Sequence, residues 1–258
     1  MATPVRFTSG VTQDASWQPL ALSGFPNPFF YHLYADDFDV YNTAAYTATL
    51  TGTGSAALTP IDGGNILLTT NTSTPLATDI ASLQLKAASF AFVPSTSSVN
   101  GKKTFFLARV QVASAINSTF NVGLMNTTAT PGAPTDGIYF NKATGSATNL
   151  QVVVMIGSVP TYIAIPATSY TLANNTQIDL GLVYDGRTGD ILVFVNSNMI
   201  GYLPVSGTGT VQPNRGPVAA LRSATVTTAL LNPTVALISG TTASTTLTAD
   251  LVLAARER

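Results

Sequence analysis

The stretch QIDLGLVYDGRTGDILVFVNSNMIGYLPV, residues 177–205, constrains the fold more than any other part of this chain. Side chains of an extended strand alternate between two faces, so Leu180, Leu182 and Tyr184 share one face, and Ile191, Val193 and Val195 share one face of the strand after it. DGRTGD supplies the residues that a tight turn requires, and VNSN turns the chain again into MIGYLPV. The pattern predicts a meander of antiparallel strands. Segments of the same kind recur along the chain: YTATL, GGNILLTT, SLQLKAASFAFV, KKTFFLARVQVA, FNVGLM, GIYFNK, LQVVVMIG, TYIAIP, PVAALRS, VALIS and TLTADLVLAA. No long window carries apolar residues at helical spacing, and ATDIASLQL holds a turn at most. About a dozen short strands joined by Gly- and Asn-rich turns predict an all-β chain, an antiparallel β-sandwich of the jelly-roll type.

The surface of such a sandwich cannot be ordinary. Charged residues make up 9% of the 258-residue chain, against about 25% in typical soluble domains. Thr, Ser, Asn and Ala must cover the outside, and a surface of that kind is cheap to desolvate, which suits a subunit packed against neighbours. The net charge of −1 and the lack of a basic stripe argue against nucleic acid as a partner. No run approaches the length of an apolar membrane span, and the N-terminus lacks a basic region followed by an apolar core, so synthesis in a cytoplasm is expected. With no cysteine there is neither a disulfide framework nor a thiolate site. The N-x-[ST] sequons at Asn71, Asn117, Asn126 and Asn174 reflect the abundance of Asn and Thr.

Residues 1–34 read as an extended arm and residues 35–258 as the sandwich domain. Trp17 to Tyr46 holds the only tryptophan and the only histidine, while Pro19, Pro26 and Pro28 exclude a helix or a central strand there. Aromatic rings on such an arm need something to bury against. Trp17, Phe25, Phe29, Phe30 and Tyr31 are therefore the candidate anchors on a partner subunit.

Catalytic chemistry finds little support. Glycoside hydrolysis uses two carboxylates across a cleft, and Glu257 is the chain's only glutamate. Asp36, Asp37 and Asp39 form the densest acidic cluster, with Asp37 and Asp39 expected on one strand face; a structural role is favoured over calcium, which needs six or more oxygens. Asp185 and Asp190 bracket a hairpin turn, and IDGGN at 61–65 has the same chemistry. His32 has no triad or metal spacing and is expected to pack as an aromatic-like residue. No catalytic residue, cofactor or metal ligand is predicted. A shallow sugar site could be built on the loops at 71–74, 126–136 and 174–177.

DDFDVYN at 36–42, KTFFLARVQV at 103–112, the LVYDGRTGDILVFVNSNMIG meander and the closing TLTADLVLAARER resemble the concanavalin-A/laminin-G-like jelly roll. The resemblance implies that the closing strand, near Leu247–Leu253, lies beside a first strand near Phe38–Tyr46. The family's hydrolase motif, E-x-D-x-x-E, is absent. The aromatic arm, FNVGL followed by DGIYFNK, and the cysteine-free, Thr-rich chain further resemble bacteriophage virion proteins that decorate or cement icosahedral heads. That resemblance implies a non-enzymatic capsid decoration protein on the virion exterior, bound to the major capsid protein and to copies of itself as a homotrimer. The alternative is a carbohydrate- or receptor-binding module of a phage fibre or tail, with surface glycans as partners.

Overall fold

The computed structural model describes residues 31–59, 64–87, 90–94, 101–187, 190–200, 203–204 and 229–258. Among them there is no helix. The strands are β1 (Tyr31–Asp36), β2 (Tyr46–Leu50), β3 (Ser55–Thr59), β4 (Asn65–Thr69), β5 (Ile80–Leu85), β6 (Lys103–Val112), β7 (Thr119–Asn126) and β8 (Gly137–Lys142). They continue with β9 (Leu150–Ile156), β10 (Val159–Ala164), β11 (Gln177–Asp185), β12 (Asp190–Val195), β13 (Asn198–Met199), β14 (Leu203–Pro204), β15 (Leu231–Ile238) and β16 (Thr246–Glu257).

They build two antiparallel sheets. The first runs β13-β12-β11-β6-β16-β4-β3, with β1 on the C-terminal half of β16; the second runs β14-β10-β9-β8-β7-β15-β5-β2. Alternation decides what lies between them. Phe106, Ala108, Val110 and Val112 of β6 and Leu180, Leu182 and Tyr184 of β11 face Phe120, Val122 and Leu124 of β7, Phe140 of β8 and Val152 of β9 in one buried core. Removal of each such large side chain from water contributes about 1.5 to 3 kcal/mol. Ile191, Val193 and Val195 join the same core, as the meander predicts. Asn196 and Ser197 both have positive φ, 49° and 65°, the conformation of a type I′ hairpin, so β12 turns directly into β13.

The closing strand does pair with the first strand, but the first strand is not the one expected. β1 lies at Tyr31–Asp36, with Ala35 opposite Leu253 and Asp36 opposite Val252. The sheet thus begins four residues before the boundary expected at Ala35. DDFDVYN is the crossover that follows. Asp36 accepts hydrogen bonds from the Phe38 N–H (2.8 Å) and from the hydroxyls of Tyr46 (2.7 Å) and Tyr34 (2.9 Å), which reverses the chain instead of extending it. Phe38 takes a left-handed φ of 57° and is buried. Gly64 makes room for this turn, since a Cβ there would stand 2.4 Å from the Phe38 carbonyl oxygen. Tyr46 then opens β2, which belongs to the second sheet and pairs β5.

Two other expectations are corrected, and one strand is added to those expected. His32 is exposed on β1 and not packed among aromatics. SAALT forms β3, a strand of small residues that propensity does not announce. Among the described residues of SLQLKAASFAFV only the start is strand, as part of β5, and Phe92 makes an isolated bridge to Leu231. The anchors Trp17, Phe25, Phe29 and Phe30, the expected strand at 217–223 and the turn-rich run at 205–217 lie outside the described residues.

Candidate functional site

The outer face of the second sheet is where polar and aromatic side chains converge. Pairing register places Ala164, Gln151, Asn141, Asn121, Ala236 and Ser82 in one row across β10, β9, β8, β7, β15 and β5. The next row holds Tyr162, Val153, Tyr139, Gly123, Thr234 and Gln84. Met125 and Met155 lie one row further on. No carboxylate or cation stands in either row.

The amides of the first row are joined end to end. Gln151 donates to Asn141 (2.8 Å), Asn141 to Asn121 (2.7 Å), and Asn121 to the carbonyl of Gly132 (2.9 Å). A primary amide both donates and accepts, so one line of side chains passes a single polarity across three strands. Its far end is buried: Asn121 lies under the β7–β8 loop, residues 127–136, which folds back over β7, β15 and β5. Gln84 fastens the same loop, accepting from the Thr128 N–H (3.0 Å) and donating to Thr234 (2.9 Å). Asn126 clamps its ends, accepting from the Asp136 N–H (3.1 Å). Half of the outer face is therefore roofed. The other half, β8 to β10, carries Asn141, Gln151 and Tyr162, all partly exposed.

Tyr139 and Tyr162 form the apolar floor of that half, with Met125, Val153 and Met155. Gly123, directly opposite Tyr139, has no room for a side chain, since a Cβ would come within 2.4 Å of the Tyr139 Cα. Tyr139 is almost wholly buried, and that burial, reinforced by Tyr162, raises its phenol well above the usual tyrosine range. It stays a neutral donor at any physiological pH.

At the loop side of the core, Lys142 of β8 points inward and is fully buried. Its ammonium donates to the carbonyls of Ser118 (3.1 Å), Ile116 (3.5 Å) and Ala143. Burial pulls its pKa down to about 8.

The candidate residues read from the sequence fall elsewhere. Tyr31 lies on the outer face of the first sheet, its ring edge-on to Phe105 at 5.4 Å between centroids. Burial and the nearby Glu257 raise its phenol. Asp37 and Asp39 are exposed, whereas Asp36 holds the crossover. Asp185 accepts from the Arg187 N–H in its turn (2.8 Å). Among the described residues no cluster of three or more His, Cys, Asp or Glu is arranged to hold a metal ion. Of the three loops considered for sugar, Asn71 is buried and bonds Thr53, Ser73 and Thr74, and Asn174 accepts from the Ala115 N–H (2.7 Å). Those two are committed to turns, and the third loop is the roof. Tyr139, Asn141, Gln151 and Tyr162 were not singled out from the sequence, although the alternation in GIYFNK, LQVVVMIG and TYIAIP already puts each on a non-core face.

This geometry has counterparts among solved structures. A protein of unknown function from Shewanella oneidensis MR-1 superposes over 100% of this chain and 97% of its own, with a TM-score of 0.55 and 11% identity. The lectin UEA-II, solved in complex with galactose, covers 88% of this chain and 99% of its own, at 0.55 and 10%. The β-glucanase of Bacillus licheniformis covers 86% and 97%, at 0.51 and 11%. The fold is the lectin-like jelly roll. At these identities the likeness reaches the fold and no further, and it spans sugar binders and glycan hydrolases alike. No protein-family model matches the chain, and no curated protein does.

Proposed function

We propose that this chain is a carbohydrate-binding β-sandwich module whose ligand, an uncharged oligosaccharide, lies across β8, β9 and β10 on the outer face of the second sheet. The observation that carries this reading is the half-exposed amide pair Asn141 and Gln151 beside the tyrosine floor of Tyr139 and Tyr162. A sugar ring presents an apolar face to an aromatic side chain and hydroxyls to amides, and the strand rows set both types of group side by side. The Gln151 carboxamide spends its N–H on Asn141, and among the described residues its oxygen accepts nothing, so it is available to a hydroxyl. An uncharged face selects against sulfated and uronic-acid polymers. The module binds without turnover in this reading. A glycan array followed by calorimetry on the best hit tests it: Tyr162→Ala should weaken binding at least about tenfold with unchanged melting. Binding that survives both Tyr162→Ala and Gln151→Ala would move the site elsewhere.

A second reading is a structural subunit on the exterior of a virus shell, made in a host cytoplasm, bound to a major capsid protein and to its own copies as a trimer. One observation favours it, the poverty of charge on the surface, with three ion pairs among the described residues. Of the similar structures named above, the two with a stated function are a lectin and a β-glucanase. Co-sedimentation with assembled capsids, in the absence of any glycan response, would support this reading over the first.

A further inference from the structure

Among the described residues the Thr104 hydroxyl, the Tyr184 hydroxyl and the Nε of Arg256 are buried without a hydrogen-bond partner, and all three stand in one row. Pairing register puts Arg256 of β16 and Tyr184 of β11 directly opposite Thr104 of β6, one on each side. Alternation turns the row inward, since Ala254, Phe106 and Leu182, two residues away along the same strands, belong to the core between the sheets. β6 begins at Lys103, so this is the last inward row at that end of the sandwich. Thr104 and Tyr184 are each 2% exposed, whereas Arg256 is half-buried and His32, opposite it on β1, is exposed. The row therefore leads from solvent into the core.

Buried polar atoms without partners are rare in folded proteins, because each forfeits its bonds to water and gains none in return. This chain manages its other buried cation differently. Lys142, at the opposite end of the core, gives its ammonium to three backbone carbonyls. Arg256 joins none of the ion pairs among the described residues. The carboxylates next to the row in sequence face outward and are committed: Glu257 accepts from the Lys103 N–H (3.1 Å), and Asp185 accepts from the Arg187 N–H (2.8 Å). A guanidinium only donates, and each hydroxyl has a proton to give. Burial, with Asp185 adding to it, pushes the Tyr184 phenol up to about 12, so it stays a donor. What complements three donors, one of them permanently charged, is an acceptor with negative charge.

We infer that the Arg256–Thr104–Tyr184 row is a binding site for a small oxyanion, a carboxylate or a sulfate-like group, held by the guanidinium and the two hydroxyls at the end of the core. Directly opposed residues in a sheet stand about 5 Å apart, so Arg256 and Tyr184 bracket Thr104 across about 10 Å. One such group, reached by two long side chains, bridges that span. It enters past Arg256, the one half-buried member of the row. A bound anion ties β16, β6 and β11 together and stabilises the folded chain by mass action. The site lies on the inward side of the first sheet, apart from the sugar face, and does not rest on that reading.

The full chain is titrated with sodium acetate, sulfate and phosphate, against sodium chloride at matched ionic strength, by calorimetry and by melting. At least one oxyanion should bind with one-to-one stoichiometry and raise the melting temperature to a plateau that chloride does not reach. Preference for acetate assigns a carboxylate, and preference for sulfate or phosphate a tetrahedral group; either supports the site. Arg256→Met should abolish the response. Tyr184→Phe and Thr104→Val should each weaken binding about tenfold, with melting in chloride unchanged or higher, because each removes a buried hydroxyl that bonds nothing in the protein. If Arg256→Met does not fold, Tyr184→Phe decides. No oxyanion distinguishable from chloride, or binding that Tyr184→Phe leaves unchanged, means an adventitious ion only and overturns the site. Hydroxyl variants that melt lower in chloride without loss of binding overturn it too, since the row would then be satisfied by water alone.

Discussion

The two outer faces of this sandwich start from the same alternation and end as different surfaces. On the first sheet, Phe105, Val183, Phe194 and Ala255 form a buried apolar cluster with Tyr31, Leu33 and Leu192. It is bordered by Arg109, which bonds Asp179 (2.7 Å) and Asp250 (3.4 Å), and by Glu257 near Arg187 (3.8 Å). On the second sheet the rows are amides and tyrosines without charge, and half of them lie under a loop that the amides themselves hold down. Apolar packing stabilises without direction, whereas a line of amides works only if every member points the right way. The first face is therefore a contribution to stability. On the second, each amide is held in one direction by the next, which is the order the proposed binding face would use.

That contrast can be broken most severely at Phe105. Phe105→Ala should cost about 3 to 4 kcal/mol, visible as a lower melting temperature, while leaving glycan binding per folded molecule unchanged. Equal loss of both would mean that the faces are not independent.

Titration sharpens the contrast next. Lys142 has a folded pKa of about 8 against 10.5 for the free side chain. The unfolded chain therefore holds the proton more tightly, and stability should rise as pH climbs from about 8 toward 10, by up to about 3 kcal/mol. Tyr46 and Tyr139 have phenols raised above their usual 10.0 by burial, so above pH 10 the unfolded state ionises first and stability should fall again. Denaturation midpoints across this range should pass through a maximum, and Lys142→Met should flatten the rising limb. A rising limb that persists in the variant would assign it to another group.

Smaller effects come from the rows themselves. Asn121→Ala removes the acceptor of Asn141 and the donor to the loop, and should cost about 2 kcal/mol while amide exchange quickens through residues 127–136. Arg109→Met should cost under about 1 kcal/mol, because the guanidinium is 43% exposed and solvent screens both of its pairs. A larger loss at Arg109 than at Asn121 would reverse the assignment of the two faces.

Much of this was legible in single segments. KTFFLARVQV and QIDLGLVYD carry their core face in plain alternation, and VNSN carries its hairpin, because period-two geometry and positive φ are local properties. The Asp36 crossover was less legible: DDFDVYN reads as strand until the hydroxyls of Tyr34 and Tyr46 arrive to make its first aspartate a chain-reversing acceptor. The candidate site was legible only in halves, since alternation marks Tyr139, Asn141 and Gln151 as outward but cannot say which strand stands next to which.

By itself, then, the sequence determined that this chain is all-β, that its faces alternate, and that its surface would be poor in charge, since each of these follows from residue type and near-neighbour spacing. Only the tertiary structure decided that Tyr31–Asp36 pairs with Val252–Glu257 at the far end of the chain. It alone put the 127–136 loop over Asn121, joined Gln151, Asn141 and Asn121 in one line, and left the strand at Tyr46–Leu50 on the outside. Strand order is a long-range choice, settled by which inner faces fill the core together, and no spacing within one segment encodes it.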